Sequence, residues 1–317
     1  MMNSEPLLSL RVRSISEEAR GIHAYELVSE DGQPLPAFTA GAHVSLVLPG
    51  DMRRSYSLTN SQRERHRYVV AVNLDPRSRG GSRYMHEQVR VGEVLPVVPP
   101  QNQFTLNESA ERSVFIAGGI GITPIRAMIQ RLEHLGRDWV LHYCARTPCS
   151  AAFMTEFSGD DRVRFYFDQA EPADRLDIES LVKDLPPHAH AYCCGPASML
   201  DAFVAASSRL PAERVHFERF AAAQAPSQTG GYTVTLARSG RSFSVAPGQS
   251  ILQVLKDAGL NPAFSCGQGV CGSCETAVLS GRPDHRDQVL SDDERVAGRS
   301  MMICCSGSLD DDLVLDL

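Results

Sequence analysis

The spacing of its cysteines constrains this chain more than any other feature of the sequence. Cys266, Cys271 and Cys274 form a C-x4-C-x2-C pattern, and Cys304 and Cys305 follow further along. Three cysteines at this spacing with a distant fourth are typical of the thiolate ligands of a plant-type two-iron, two-sulfur (2Fe-2S) cluster. The glycines between them allow a tight loop that presents backbone N–H groups to the sulfides. The spacing therefore predicts an iron–sulfur site, with Cys304 and Cys305 as alternatives for its fourth ligand.

A structural zinc site and disulfide bonds are the alternative roles for these cysteines. Structural zinc sites usually use paired C-x2-C knuckles, and this stretch contains one such pair. Disulfides require an oxidising compartment, which no other feature of the sequence indicates. The pattern therefore favours the cluster over both alternatives.

Length and charge limit the class of protein further. With 317 residues, 43% of them hydrophobic, the chain is long enough for two or three domains. Its formal net charge of −7 argues against nucleic acid and anionic membranes as partners. No apolar run is long enough for a transmembrane helix, and the first residues do not resemble a secretion signal. Nine cysteines without disulfide-like regularity complete a pattern that predicts a cytoplasmic protein with reduced thiols.

Residues 1–107 predict a small antiparallel β-barrel, because short segments alternate with period two and prolines discourage long helices. Residues 54–57 read Arg-Ser-Tyr-Ser, so a strand would offer a guanidinium, a ring and hydroxyls to a flat, anionic ligand. Gly80, Gly81 and Ser82 precede a predicted helix, whose unpaired N–H groups would attract phosphate. Taken alone, each segment is equally consistent with an ordinary exposed strand or turn.

Residues 108–222 predict an α/β domain with a parallel sheet. Four apolar runs typical of buried parallel strands are residues 113–117, 139–145, 163–167 and 189–194. The first leads into Gly-Gly-Ile-Gly-Ile-Thr-Pro (118–124) and a helix, the order found at dinucleotide phosphate sites, although the spacing is not the standard Rossmann one. The fourth ends at Gly195-Pro196, before a predicted helix over 197–207. Plain loop geometry would account for either turn alone, but both fall at carboxyl ends of strands, where such sheets bind ligands.

A change to small and polar residues predicts a linker at 223–230. Residues 231–317 then show a hairpin, a helix that Ser250 caps and Gly259 ends, the cysteine loop and a last strand. This order of elements predicts a compact α+β module that carries the iron–sulfur site.

These motifs span almost the whole chain in a fixed order: Arg-x-Tyr-Ser, Gly-Gly-Ser, Gly-Gly-Ile-Gly-Ile-Thr-Pro, Cys-Gly-Pro and the cysteines. The set resembles the phthalate dioxygenase reductase family, which includes vanillate O-demethylase reductases. The resemblance implies a flavin barrel, an NAD domain and a C-terminal β-grasp ferredoxin domain. It also implies FMN rather than FAD, because relatives with this domain order typically use FMN, and it selects Cys304 as the fourth ligand.

The resemblance also implies roles for individual residues. The residues implied to bind FMN are Arg54, Ser55, Tyr56 and Ser57, and those implied to bind its phosphate are Gly80, Gly81 and Ser82. Phe220 is implied to lie against the flavin. Those implied for the pyridine nucleotide are Gly119, Gly121, Thr123, Pro124, Cys194, Gly195 and Pro196, with Thr123 and Cys194 near the nicotinamide. The implied cluster ligands are Cys266, Cys271, Cys274 and Cys304. Asp168 resembles the acid near the adenine ribose that favours NADH over NADPH, the alternative being a solvated loop aspartate.

The implied activity is electron transfer from NADH through FMN and the 2Fe-2S cluster to the Rieske-type terminal component of an aromatic-ring oxygenase or O-demethylase. NADH gives two electrons as a hydride and the cluster accepts one, so a flavin must stand between them. No catalytic acid or base is predicted, because the hydride passes directly to the flavin. We also expect a monomer. The alternatives are an FAD-containing reductase that serves another acceptor, and a non-enzymatic iron–sulfur carrier or sensor.

Overall fold

The computed structural model describes residues 7–50, 52–76, 80–220, 231–264, 266–270 and 272–317. The chain divides into two compact units, Met1–Glu218 and Arg219–Leu317. The first unit contains both the barrel and the α/β sheet, so this division does not test the domain boundary predicted at residue 107. That boundary and the other domain boundaries drawn from the sequence remain predictions. The predicted linker at 223–230 lies outside the described residues.

A six-stranded antiparallel sheet begins the first unit, in the order β4-β3-β6-β1-β2-β5. Its strands are β1 (Leu8–Ala19), β2 (Ile22–Ser29), β3 (His43–Leu48), β4 (Met52–Ser57), β5 (Tyr68–Asn73) and β6 (Val94–Gln101). An isolated bridge between Leu58 and Val70 links the chain after β4 to β5, at the other end of this order. Val44 and Leu46 of β3 point into a fully buried apolar core, as the period of two predicts. The short helix α1 (Gly81–Glu87) stands between β5 and β6.

A five-stranded parallel sheet forms the rest of this unit, in the order β11-β10-β7-β8-β9. Its strands are β7 (Arg112–Gly118), β8 (Asp138–Ala145), β9 (Val163–Phe167), β10 (Ala189–Cys194) and β11 (Val215–Glu218). Its helices are α2 (Ile122–Leu135), α3 (Met154–Phe157), α4 (Ile178–Lys183) and α5 (Ala197–Ser207). The four predicted strands are present, and β11 is a fifth that the sequence did not reveal. It is a short edge strand of partly exposed residues, so it lacks the apolar run that marks a buried strand.

Helix α2 connects the glycine-rich turn to the core of the parallel sheet. It begins at Ile122, so Pro124 is its third residue rather than its first, a position whose N–H has no partner within a helix in any case. Ile125, Met128 and Leu132 recur at helical spacing and are fully buried. Burial of each such side chain contributes roughly 1.5–3 kcal/mol, which holds the start of the helix in a fixed position on the sheet.

The second unit is a mixed sheet with two short helices. The five-stranded order is β13-β12-β18-β14-β16, with a separate β15–β17 pair. The strands are β12 (Tyr232–Leu236), β13 (Arg241–Val245), β14 (Glu275–Ser280), β15 (Pro283–Asp284), β16 (Ser300–Met302), β17 (Gly307–Ser308) and β18 (Asp312–Leu315). The helices are α6 (Ile251–Asp257) and α7 (Asp292–Ala297). As predicted, Ser250 caps α6, its hydroxyl accepting from the N–H of Gln253 at 3.1 Å.

Within the described ranges, no helix combines the length and the apolar character that crossing a membrane would require.

Candidate redox site

The predicted phosphate-binding residues of the barrel meet at the start of α1. Gly80 has φ +99°, a left-handed value that favours glycine, and it turns the chain into the helix. A Cβ atom added at Gly81 would lie 2.5 Å from Nε of Arg54, so the arginine side chain lies directly against this turn. A guanidinium and the first N–H groups of a helix are suitable ligands for a phosphate. Ser82 is next in the turn, and its hydroxyl accepts from the N–H of Asp75 at 3.2 Å.

The remaining predicted flavin residues lie along β4 on alternate faces. Tyr56 packs against the barrel core, and burial raises the pKa of its hydroxyl above the usual range. On the opposite face the hydroxyls of Ser55 and Ser45 are 2.8 Å apart. Ser57, on that same face, is buried, and its Oγ has no hydrogen-bond partner among the described residues. A buried hydroxyl without a hydrogen-bond partner is suited to a ligand that offers it a polar group, as a flavin does.

The two glycine-containing turns of the parallel sheet pack directly against each other. A Cβ atom at Gly121 would lie 2.1 Å from the carbonyl oxygen of Cys194. A Cβ atom at Gly118 would likewise lie 2.6 Å from Cδ of Pro196. Only glycine allows these turns to approach so closely, which leaves backbone groups at the carboxyl edge of the sheet for a nucleotide. Thr123 is buried beside them, and its hydroxyl donates to the carbonyl of Ile120 at 2.9 Å.

Asp168 lies at the same carboxyl edge, directly after β9. Its side chain is exposed, and its backbone N–H donates to the carbonyl of Ala145, the last residue of β8, at 3.3 Å. Burial, with the negative charges of Asp168 and Asp174, raises the pKa of the Cys144 thiol to about 12. An exposed carboxylate at this edge is in a position to accept hydrogen bonds from ribose hydroxyls.

The cysteine loop of the second unit presents backbone N–H groups to sulfur. The N–H of Gly269 donates to Sγ of Cys304 at 3.1 Å, and the N–H of Gln268 donates to Sγ of Cys266 at 3.2 Å. The thiols of Cys274 and then Cys305 lie beside Cys304 and raise the pKa of its thiol. Thiols gathered under N–H donors are the arrangement that iron would convert to stabilised thiolates. The fourth predicted ligand, Cys271, lies outside the described residues.

The thiol of Cys305 also lies against this loop, beside that of Cys304. Its Sγ is 3.9 Å from the carbonyl oxygen of Met302 and would be 2.4 Å from a Cβ atom at Gly269. Cys304, in contrast, contacts both Cys274 and the Gly269 N–H. Among the described residues no three His, Cys, Asp or Glu side chains converge on one metal ion. A two-iron cluster takes two pairs of thiolates, and Cys266, Cys274 and Cys304, which lie in or beside this loop, would supply three of the four.

Comparison with known proteins covers both units. A family model described as a 2Fe-2S iron-sulfur cluster binding domain matches residues 234–307. The chain is 52% identical over 311 residues to phenoxybenzoate dioxygenase subunit beta of Ectopseudomonas oleovorans, covering 98% of this chain and 97% of that protein. It is 49% identical over 324 residues to tetrachlorobenzoquinone reductase of Sphingobium chlorophenolicum, with 100% of both chains covered. The solved structure of phthalate dioxygenase reductase matches at 39% identity and a TM-score of 0.80, over 98% of both chains. The chain belongs to the phthalate dioxygenase reductase family.

These comparisons confirm the family resemblance seen in the sequence, the predicted fold class and the assignment to the oxidoreductases. The solved phthalate dioxygenase reductase is a modular structure for electron transfer from pyridine nucleotides to 2Fe-2S. The antiparallel sheet, the parallel sheet and the mixed sheet with the cysteine loop are the three parts found here.

Two buried titratable residues beside the predicted site were not identified from the sequence. His43 of β3 pairs with Ser57 across the sheet, and Glu218 of β11 pairs with Cys194. His43 is 5% exposed, and its Nε2 has no hydrogen-bond partner among the described residues. Glu218 is partly exposed as a residue, but its Oε2 is enclosed, and burial raises the pKa of this carboxyl to about 8. Strand register brings both residues to the site, and register is not visible in a local motif.

Phe220, the aromatic residue predicted to cover the flavin, lies just beyond β11 and is 38% exposed.

Burial of His43 predicts a loss of stability in mild acid. Burial lowers the pKa of His43 from 6.5 to about 4. The unfolded chain therefore binds this proton more tightly than the folded chain, and stability falls as the pH drops from 6.5 towards 4. Between pH 7.5 and pH 5 we expect a loss of about 2 kcal/mol in unfolding free energy from this residue.

Urea unfolding followed by the fluorescence of Trp139, the single tryptophan, measures this loss. The His43→Gln variant should lose about 2 kcal/mol less than the wild type over the same pH interval. His66→Gln is the matched control, because the side chain of His66 is 65% exposed. Equal pH dependence in His43→Gln and the wild type would contradict the prediction.

Proposed function

We propose that this chain transfers electrons from NADH through FMN to a 2Fe-2S cluster, as the reductase component of a Rieske-type aromatic-ring oxygenase or O-demethylase. The observation that carries the proposal is the likeness to phthalate dioxygenase reductase over 98% of both chains. This likeness covers the barrel, the parallel sheet and the cysteine loop, all of which the proposed electron transfer needs. A simple iron–sulfur carrier would need only the second unit. We further propose that the chain acts as a monomer in the cytoplasm, where reduced thiols are available to iron.

The barrel residues would bind and orient the FMN. Arg54 and the turn at Gly80, Gly81 and Ser82 would hold its phosphate, because guanidinium and N–H groups converge there. Tyr56 would pack on the ring system, and Ser55 and Ser57 would provide hydroxyls. Bound FMN supplies the chemistry that accepts electrons as a pair and releases them singly.

The edge of the parallel sheet would bind NADH. The proposed residues are Gly119, Gly121, Thr123, Pro124, Cys194, Gly195 and Pro196, with Phe220 against the flavin. Burial and then the nearby Glu218 raise the pKa of the Cys194 thiol, so Cys194 stays protonated and contributes packing rather than charge. The proposed hydride transfer needs no catalytic acid or base from the protein. The residues of this site would instead hold the nicotinamide and flavin rings in the relative position that the transfer requires.

Asp168 would give the site its preference for NADH over NADPH. Its exposed carboxylate would accept from ribose hydroxyls and repel a 2′-phosphate. We expect Asp168→Ser to lower the NADH/NADPH ratio of kcat/KM about tenfold or more, since one lost charge-assisted hydrogen bond is worth roughly 1.5–3 kcal/mol. Steady-state rates with ferricyanide measure the ratio. Asp161→Ser, which removes an exposed carboxylate just before β9, is the control, and an unchanged ratio in Asp168→Ser would exclude this role.

The ligands of the 2Fe-2S cluster would be Cys266, Cys271, Cys274 and Cys304. The loop around the first three cysteines would face the oxygenase that receives the electrons. The decisive experiment is the absorption spectrum of the purified protein, with flavin and iron quantified per chain. Heat-released flavin that co-elutes with FMN, about two irons per chain, and rapid bleaching by NADH are the expected results. An FAD peak would overturn the FMN assignment, and a coloured protein that NADH does not bleach would indicate a non-enzymatic carrier.

The tetrachlorobenzoquinone reductase among its relatives favours a second candidate acceptor, a halogenated quinone. Quinones accept electrons from reduced flavins or clusters without a protein partner. Comparing NADH-driven rates with tetrachlorobenzoquinone and with cytochrome c distinguishes the candidates. A kcat/KM far higher for the quinone than for any protein acceptor would favour the second one.

A further inference from the structure

Asp287, at 1% exposed, is the most fully buried aspartate or glutamate among the described residues. It lies between β15 and α7, and its side chain has no exposed surface. Its Oδ2 accepts from the backbone N–H groups of Val289 at 3.0 Å and Leu290 at 2.8 Å. Its Oδ1 accepts from the hydroxyl of Ser306 at 3.3 Å. A carboxylate held by this set of donors has a fixed position and orientation.

The backbone next to this residue supports the cysteine loop. The N–H of Gln288 donates to the carbonyl of Gly269 at 2.7 Å. A Cβ atom at Gly269 would lie 3.2 Å from Cα of Asp287 and 2.4 Å from Sγ of Cys305. Gly269 in turn donates its own N–H to Sγ of Cys304. Asp287 is therefore packed against the loop that provides an N–H group to a predicted ligand, and Ser306 connects its carboxylate to the segment of Cys304 and Cys305.

The charge of Asp287 is compensated only in part. The Nη2 group of Arg295 donates to the backbone carbonyl of Asp287 at 2.8 Å, and it is 3.9 Å from Oδ2. A second basic atom near the carboxylate is Nδ1 of His285, 3.8 Å from Oδ1. Burial lowers the pKa of His285, and neither ring nitrogen has a hydrogen-bond partner among the described residues. The imidazole thus adds little positive charge, and a net negative charge remains buried beside the predicted ligands.

We propose that Asp287 is a positioning residue that sets the reduction potential of the 2Fe-2S cluster. Reduction adds one electron to the cluster, and a fixed negative charge in a medium of low dielectric disfavours that electron. The charge of Asp287 therefore lowers the potential, while the N–H of the adjacent Gln288 holds Gly269, whose own N–H donates to Cys304. Arg295 opposes this effect by partial compensation. The inference rests on the proposed function only for the presence of the cluster.

Spectroelectrochemical titration of the full-length holoprotein with dithionite and mediators tests the proposal without NADH. Asp287→Asn keeps the shape of the side chain and should shift the midpoint potential to a more positive value. Arg295→Gln should shift it to a more negative value, because it removes the compensating charge. Asp293→Asn changes the net charge by the same amount at an exposed side chain of α7, and its midpoint should coincide with the wild type.

An Asp287→Asn protein with full iron content and the wild-type midpoint would overturn the proposal. If that variant does not retain iron, Arg295→Gln decides, since an unchanged or more positive midpoint there is incompatible with the charge argument. A wild-type protein that binds no iron after reconstitution would instead contradict the proposed function.

Discussion

Replacing Cys304 with serine should reduce NADH-driven cytochrome c reduction about 100-fold or more, while ferricyanide reduction at the flavin continues. The physical reason is that Cys304 contacts both Cys274 and the Gly269 N–H, so its loss removes a proposed cluster ligand and an N–H···S bond together. Loss of partners that only support ligands already costs about 10–100-fold in metal sites. Parallel assays with the two acceptors and an iron determination measure the effect.

Cys305→Ser is the matched control, because it changes the neighbouring thiol and leaves the contact between Cys304 and Cys274 in place. We expect this variant to keep its iron and most of its cytochrome c reduction. If the two variants exchange behaviour, Cys305 rather than Cys304 is the fourth ligand. If Cys304→Ser retains both iron and cytochrome c activity, the assignment of the cluster to this cysteine is wrong.

Replacing Gly121 with alanine should slow flavin reduction by NADH about 100-fold. The added Cβ would lie 2.1 Å from the carbonyl oxygen of Cys194, a backbone atom that cannot rotate away. The two turns must separate to relieve this clash, and a displacement of about 1 Å at a hydride-transfer site costs on the order of 100-fold in rate. Overpacking of this kind also costs about 1–3 kcal/mol in stability. Anaerobic stopped-flow absorbance of the flavin gives the rate.

Gly136→Ala separates the effect on rate from a general loss of stability. Gly136 ends α2 with φ +64°, and a Cβ atom there would meet open space. The substitution costs about 1 kcal/mol through its backbone conformation alone. It should therefore lower stability without slowing flavin reduction, whereas a Gly121→Ala protein that reacts with NADH at the wild-type rate would show that the turns tolerate separation.

Features that depend on local chemistry could be predicted from the sequence. The helix over 197–207 was expected with these bounds, because strand, Gly-Pro turn and apolar periodicity define it within one window. Ser250 as a helix cap follows equally from neighbouring residues. The contact of Arg54 with Gly81 joins two segments that were ambiguous when taken alone, and the family resemblance rather than the segments themselves indicated that they cooperate.

Features that depend on strand register could not be predicted in this way. His43 is a polar residue at the start of an apolar strand, and only the pairing of β3 with β4 places it opposite Ser57. β11 carries Glu218 to the site but lacks an apolar run. Asp287 resembles an ordinary loop aspartate until the fold encloses it beneath Gly269. In each case a distant part of the chain decides the environment.

The position of β18 has a consequence for the biogenesis of the second unit. This strand lies between β12 and β14, so within the sheet it pairs with one strand that precedes the cysteine loop and with one that follows it. A ribosome incorporates all of the cluster cysteines before it synthesises this strand. The thiols are therefore made without the sheet that will hold them together, and assembly machinery that delivers iron during translation would meet an incomplete scaffold. We therefore expect iron to be inserted after the chain has been synthesised.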